Sequence, residues 1–270
     1  MLQTATVTPA PSSPWTPFEA SYRAALSVER LRKFRKDRDK QAWGPAVGRY
    51  LFNVELAGAL YPVLNWAEVS LRNHLHAIIG DAYPPGAGRS YNRVVSWLDA
   101  VPPIVLPPEQ RKVLQAIGDL DRRRHAPGRN AAPKPLTEGR LVAELCFGFW
   151  TRLLDGVYAD WRTPGSPQFW PRLMDRAFPH CPGPRRTRKD IHTRYTQIKD
   201  LRNRTFHHER IVHQATLALY DDVLEAVHWI DPALAEGLRE RERPRFEVIW
   251  ERGPQPFVEW AADRAALHLA

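Results

Sequence analysis

The chain has 270 residues, 43% of them apolar and ten of them tryptophan, enough for a sizeable core and too apolar for a disordered chain. Its formal net charge of +9 points to a polyanionic partner, either nucleic acid or an anionic membrane surface. No stretch reaches the roughly 20 uninterrupted apolar residues of a spanning helix, since the richest run, Leu141 to Trp150, carries Glu144.

In chain order, Met1 to Pro14 lacks a charged n-region ahead of an apolar one, so residues 1–14 read as a disordered lead and not a secretory signal. Phe18, Tyr22 and Leu26 predict an amphipathic helix that continues through Glu29 to Phe34 with a very basic exposed face. Residues 46–79 carry two helical patterns, with Pro62 at their junction or in a first turn. In the second pattern Leu64, Val69, Leu71, Leu75 and Ile78 suit a buried face. A Pro/Gly-rich loop follows over residues 83–88, then a short piece around Val94 to Leu98. Pro107 and Pro108 open a helix ending near Arg124. Residues 125–135, with three prolines, a glycine and no apolar period, read as a linker. Helical patterns resume at Leu141 to Tyr158, at Phe169 to Phe178 (Ser166 as N-cap), at Thr187 to about Thr205 and at Gln214 to Trp229. Arg245 to Trp250 alternates as a strand would. The expected fold is all-α: one helical domain over residues 15–230, and a C-terminal extension, 231–270, packing on it and holding a short strand-like segment.

Two cysteines, Cys146 and Cys181, make neither a metal spacing nor a disulfide framework, and a cytoplasmic setting is expected. His208-Glu209-Arg210-Ile211-Val212-His213 places its histidines five apart, where a zinc-protease helix needs four. No metal or cofactor is therefore expected.

The densest chemistry lies at Leu201-Arg202-Asn203-Arg204-Thr205-Phe206-His207-His208-Glu209. Arginine clamps phosphate bidentately, and histidine is suited to move a proton near neutral pH. The same residues also read as a solvated basic helix end, and the spacing leaves both readings open. At about 100° per residue, Ile191, Tyr195 and Ile198 share an apolar face that Arg202 continues. An arginine on such a stripe needs a partner or a cleft. His207 falls about 140° from Arg202 on a straight helix. Their convergence therefore requires the helix to loosen near Phe206-His207, or a second copy of the chain. A second constellation, Glu68-Val69-Ser70-Leu71-Arg72-Asn73, predicts an i,i+4 ion pair between Glu68 and Arg72.

Glu68 to Asn73, then Phe147-Gly148-Phe149-Trp150 with Leu153-Leu154, then Ile198 to Ile211 stand in the order seen in bacterial Abi-like (abortive infection, AbiD/AbiF type) proteins of the HEPN superfamily. Over residues 45–215 the chain resembles that family, whose signature is an arginine, four to six residues, then a histidine, with a polar residue after the arginine. Arg202, Asn203 and His207 fit it. The resemblance implies an HEPN-like helical bundle and a metal-independent endoribonuclease that needs no cofactor. It further implies a homodimer acting in phage defence or toxin-type growth arrest, with a possible antitoxin or other defence component as partner.

In that reading Arg202, Asn203, His207 and His208 are catalytic, and Glu68, Arg72 and Asn73 support them. Products would carry 2′,3′-cyclic or 3′-phosphate ends, because the chemistry needs the ribose 2′-OH. Two basic clusters are candidates for an RNA contact. Arg185, Arg186, Arg188 and Lys189, at the start of the motif helix, are the better placed, joined by Arg204. Arg30 to Lys40, partly neutralised by Asp37 and Asp39, reads as a solvated helix face. A non-catalytic RNA-binding or regulatory HEPN module, or a protein-interaction component of a defence system, remains the alternative.

Overall fold

Thr16 starts the first helix, α1 (Pro17–Leu26), with a reciprocal cap: its hydroxyl accepts from the Glu19 N–H at 3.2 Å, and the Glu19 carboxylate accepts from its N–H at 3.1 Å. Ser27, at φ 65°, then breaks the expected continuous helix and caps α2 (Val28–Arg32). The buried Glu19 carboxylate also accepts from the Trp43 and Gly44 N–H groups at 2.8 and 2.7 Å. A negative charge thereby sits at the start of α3 (Gly44–Ala82), where orphan N–H groups favour it.

The computed structural model describes residues 15–40, 42–84, 96–125, 136–212 and 216–267, and among them no residue is in a strand. The remaining helices are α4 (Pro107–Arg124), α5 (Glu138–Glu144), α6 (Phe147–Arg152), α7 (Met174–Ala177), α8 (Arg188–Phe206), α9 (Thr216–His228), α10 (Pro232–Arg252) and α11 (Gln255–Ala266). The all-α expectation therefore holds. None of these helices is long and apolar enough to cross a membrane.

Four local expectations are corrected. The strand-like piece at Arg245 to Trp250 is part of α10. Over six residues a period of two and a period of 3.6 are easily confused; Phe246 and Ile249 are buried while Val248 is exposed, which is a helical face. Pro62 is no junction: α3 runs through it, and Leu60, Val63, Leu64 and Ala67 stay buried on either side. Burial of that stripe outweighs the lost hydrogen bond and ring clash, a cost of about 3 kcal/mol. The expected helix at Phe169 to Phe178 shrinks to α7, because Pro171 lacks an N–H and biases Trp170 away from helical backbone. Leu141 to Tyr158 divides between α5, α6 and a 3₁₀ turn at Gly156–Tyr158. The lead at 1–14 and nearly all of the two Pro-rich loops (85–88 and 126–135) lie outside the described residues.

The described residues divide into two compact units: those within 1–60, 204–214 and 244–270 form the first, and those within 61–203 and 215–243 the second. This division crosses the expected 15–230 domain and splits the 231–270 extension between both units.

In the first unit, Leu31, Val47 and Ala261 are wholly buried, with Trp15, Phe18, Tyr22, Trp43 and Tyr50 packed around them. Here α11 lies against the first turns of α3. Gly48 makes that approach possible, because a Cβ there would stand 2.4 Å from the Phe257 carbonyl oxygen and 2.5 Å from Val258 Cα. Both are backbone atoms and cannot swing aside. Gly48→Ala is expected to cost about 1–3 kcal/mol, seen as a lower urea midpoint with the α-helical circular dichroism of the native state retained. An unchanged midpoint would mean that α11 does not pack there in solution.

In the second unit, Ile191, Tyr195 and Ile198 are buried as the period of α8 predicts, and the Tyr195 hydroxyl donates to the Ala226 carbonyl in α9 at 2.9 Å. Two of the buried indoles find acceptors as well: Trp170 donates to the Leu153 carbonyl at 2.7 Å and Trp150 to the Leu145 carbonyl at 3.3 Å.

Candidate functional site

α8 stops at Phe206, and the backbone after it closes as a Schellman turn. The His208 N–H donates to the Thr205 carbonyl (3.2 Å) and the Glu209 N–H to the Arg204 carbonyl (2.9 Å). The left-handed residue in that turn is His208, at φ 55°, where glycine is usual. A non-glycine residue held there costs on the order of 1 kcal/mol, and such residues cluster at functional sites. His207 and His208 are both exposed. They have left the helical course, as the first of the two sequence-based alternatives requires.

Three side chains of the first unit fasten this turn. Arg30 donates to the His208 carbonyl at 2.7 Å and to the His207 carbonyl at 3.4 Å. Arg210 donates back to the Lys33 carbonyl at 3.1 Å. Asn53, 2% exposed on α3, uses both ends of its amide: Nδ2 donates to the Glu209 carbonyl (3.0 Å) and Oδ1 accepts from the Ile211 N–H (2.8 Å). Asn53→Ala would remove both hydrogen bonds, beside the buried Ile211. It is expected to cost about 2–3 kcal/mol and to raise amide exchange at residues 208–211 first. Uniform exchange across the unit would instead assign Asn53 a general packing role.

The result is an open cleft of about 420 Å³, lined by His207, His208, Arg30, Lys33 and Arg210, with Ser27, Phe34 and two carboxylates, Glu29 and Glu209. The Glu29 carboxyl is held below its ordinary value by its own backbone hydrogen bond and then by Ser27, with Arg32 and Arg23 adding to the effect. Among the described residues no carboxylate stands within ion-pair distance of Arg30, Lys33 or Arg210. The neutralisation expected from Asp39 is corrected: this carboxylate is buried and pairs with the equally buried Arg49, which also donates to the Phe34 carbonyl at 2.5 Å.

The second basic cluster fares differently. Arg185 pairs with Glu225 at 2.6 Å, and Arg186 with Asp175 at 3.0 Å and with the Cys181 carbonyl at 2.9 Å. Arg188 donates to the Leu154 carbonyl at 3.1 Å, while Lys189 is exposed. Three of the four cations thus hold the second unit together.

The remaining motif residues also belong to the second unit, except for Arg204, which is exposed on the first. Arg202 Nε donates to Glu68 Oε2 at 3.0 Å, and Nη1 to Asn203 Oδ1 at 3.4 Å. The partner that its place on the apolar stripe demands is therefore Glu68. The expected Glu68–Arg72 pair gives way to this bond between α3 and α8, and Arg72 Nε donates to Asn73 Oδ1 instead, at 3.3 Å. Within the first unit His207 and His208 line one cleft with Arg30, Lys33 and Arg210, three cations that the sequence reading had not placed at the site. Within the second unit Arg202 binds Glu68 and Asn203, and Arg72 binds Asn73. His213 lies outside the described residues. Asn53 had a readable signal, as a lone amide among Tyr50, Leu51, Phe52 and Leu56.

Comparison of the chain with protein-family models, with curated proteins and with solved structures found no match.

Proposed function

We propose that the chain is a metal-independent endoribonuclease of the Abi-like HEPN type, acting in phage defence or growth arrest, with the His207–His208 cleft as its RNA site. The observation that carries this is the convergence of two exposed histidines and three cations without carboxylate partners on one rigidly fastened turn. His207 takes the proton of a ribose 2′-OH and His208 returns one to the leaving 5′-oxygen. Arg30, Lys33 and Arg210 draw in the phosphates. A homodimer, a cytoplasmic setting and an antitoxin belong to the same proposal and rest on the resemblance.

One observation favours a second reading, an RNA-binding module without catalysis. Arg202, the motif arginine, already binds the Glu68 carboxylate and Asn203, which leaves its charge less available to a phosphate. The two readings part on one assay. Purified protein in EDTA is given tRNA, an mRNA-like RNA and single-stranded DNA, beside Arg202→Ala. Cleavage of RNA alone, ending in 2′,3′-cyclic or 3′-phosphate, supports the enzyme. Binding of RNA without cleavage supports the module, and 3′-hydroxyl ends would remove the mechanism.

Both readings predict the same electrostatics. Each phosphate contact contributes about 0.7 to the slope of log affinity against log salt for single strands. The double variant Lys33→Ala, Arg210→Ala should flatten that slope by about 1.4. Arg185→Ala with Arg186→Ala should leave it unchanged, because those guanidinium groups are engaged by Glu225 and Asp175. The opposite pattern would return the RNA surface to the α8 start.

A further inference from the structure

Past the cleft the first unit presents a second set of cations. Residues 33–40 leave α2 and run through a 3₁₀ turn at Asp37–Asp39. Lys33 and Phe34 line the cleft, while Phe34, Arg35 and Lys36 line a small recess beside it that Arg210 also reaches. Arg38 and Lys40 follow on the same stretch. We infer that Lys36, Arg38 and Lys40 form a phosphate track that continues the cleft and holds the sugar–phosphate backbone of RNA flanking the bond to be cut. The inference rests on the ribonucleic reading of the cleft and adds a length requirement: the substrate is a strand longer than the cleft alone can hold.

Two observations set these three side chains apart. The first is a division of labour within the stretch, whose backbone is fastened from inside. The Phe34 carbonyl accepts from the buried Arg49 at 2.5 Å and the Lys33 carbonyl from Arg210 at 3.1 Å. The Lys40 carbonyl accepts from Arg35, whose guanidinium lies 4.4 Å from the centre of the Trp43 ring. The buried Asp39 carboxylate pairs with Arg49 and accepts from the Lys36 N–H at 2.7 Å. Lys40 is held at φ 49°, and non-glycine residues kept in such backbone cluster at functional sites. The charged groups of Lys36, Arg38 and Lys40 take no part in this fastening. All three residues are exposed, and among the described residues the ion pair of this stretch is that of Asp39 with Arg49. A pinned loop thus carries cations whose charge is available to an outside anion.

The second observation selects the anion. A basic segment that binds membranes turns apolar side chains outward to enter the lipid. Here the apolar residues of 29–40, Leu31 and Phe34, are 0% and 4% exposed, so nothing projects that could insert. The groups that do project are ammonium and guanidinium, which only donate, and a run of phosphates is the partner that only accepts and repeats along a line. Asp37, exposed between Lys36 and Arg38, offsets part of this charge and leaves the track net positive. Phosphate contacts position a strand without reading it, so the track should be indifferent to base sequence.

The test is binding of the full chain to 2′-O-methyl-uridine oligonucleotides, which cannot be cut by attack of a 2′-OH, over a range of salt. The dodecamer is expected to show a steeper slope of log affinity against log salt than the tetranucleotide, whose three phosphates match the three cleft cations. The triple variant Lys36→Gln, Arg38→Gln, Lys40→Gln should flatten the dodecamer slope by about 2.1, at about 0.7 per contact. The tetranucleotide slope should change by less than one such contact. Equal slopes for the two lengths in the parent chain, or a dodecamer slope that survives the triple variant, would overturn the proposal. So would vesicles of phosphatidylserine and phosphatidylcholine that bind the parent chain more tightly than the dodecamer does.

An acetylation footprint needs no variant and so stands even if the triple variant fails to fold. Bound dodecamer should slow the modification of Lys36 and Lys40 several-fold and leave Lys112, on α4 of the second unit, at its free rate. Unchanged rates at Lys36 and Lys40 would also overturn the proposal. Cleavage of natural RNA separates the two claims. A length-dependent slope and a footprint without cleavage remove the nuclease and keep the track, whereas cleavage with the same KM for both lengths removes the track and keeps the nuclease.

Discussion

His207→Ala is expected to slow RNA cleavage by about 10²- to 10⁴-fold, the usual worth of a positioned general acid or base, while RNA affinity stays near that of the parent. The separation is expected because Arg30, Lys33 and Arg210 line the cleft independently of the imidazole. His207 is exposed, and it meets Arg30 through its carbonyl, so the substitution should change stability by no more than about 0.5 kcal/mol. The measurement is single-turnover cleavage of a labelled RNA in EDTA, with affinity determined in parallel. His208 needs a different replacement, since alanine would remain in the left-handed backbone conformation at φ 55°. His208→Gly removes the ring and relaxes the turn at once. It should lower the cleavage rate while raising the thermal midpoint slightly. If both variants cut RNA at the parental rate, the histidines are a helix end and nothing more, and the binding-module reading takes over.

The sequence made α8 legible because its apolar spacing is regular, and the same spacing required a partner for Arg202. The identity of that partner was not legible. The local i,i+4 rule offered Arg72 to Glu68, whereas burial between helices delivers Arg202 at 3.0 Å, and a pairing across 134 positions of sequence leaves no local trace. The ion pairing within the two basic clusters was hidden for the same reason. Which cation is free depends on where Glu225, Asp175 and Asp39 fold to, and none of them need be near in sequence. The helix stop after Phe206 was anticipated only as one of two options, because histidine gives little warning of a left-handed turn where glycine or asparagine would have announced it. The cleft itself was out of reach: it joins α2 to the residues after α8 through backbone carbonyls, which carry no residue identity.

Asp39→Ala is expected to be the most damaging single change to the first unit, at about 3–5 kcal/mol. Asp39 and Arg49 form an ion pair in which both residues are 8% exposed. Removing the carboxylate leaves a guanidinium buried with only the Phe34 carbonyl as a described partner. It also strips the Lys36 N–H of its acceptor, now 2.7 Å away. Asp37, two residues earlier and exposed, provides the control: Asp37→Ala should fall within about 0.5 kcal/mol of the parent. The double variant Asp39→Leu, Arg49→Met should recover most of the loss, since replacing a buried pair with apolar residues of similar volume is often neutral. Urea unfolding of the four chains measures this directly. Equal costs for Asp37→Ala and Asp39→Ala would mean that the pair is solvated in solution.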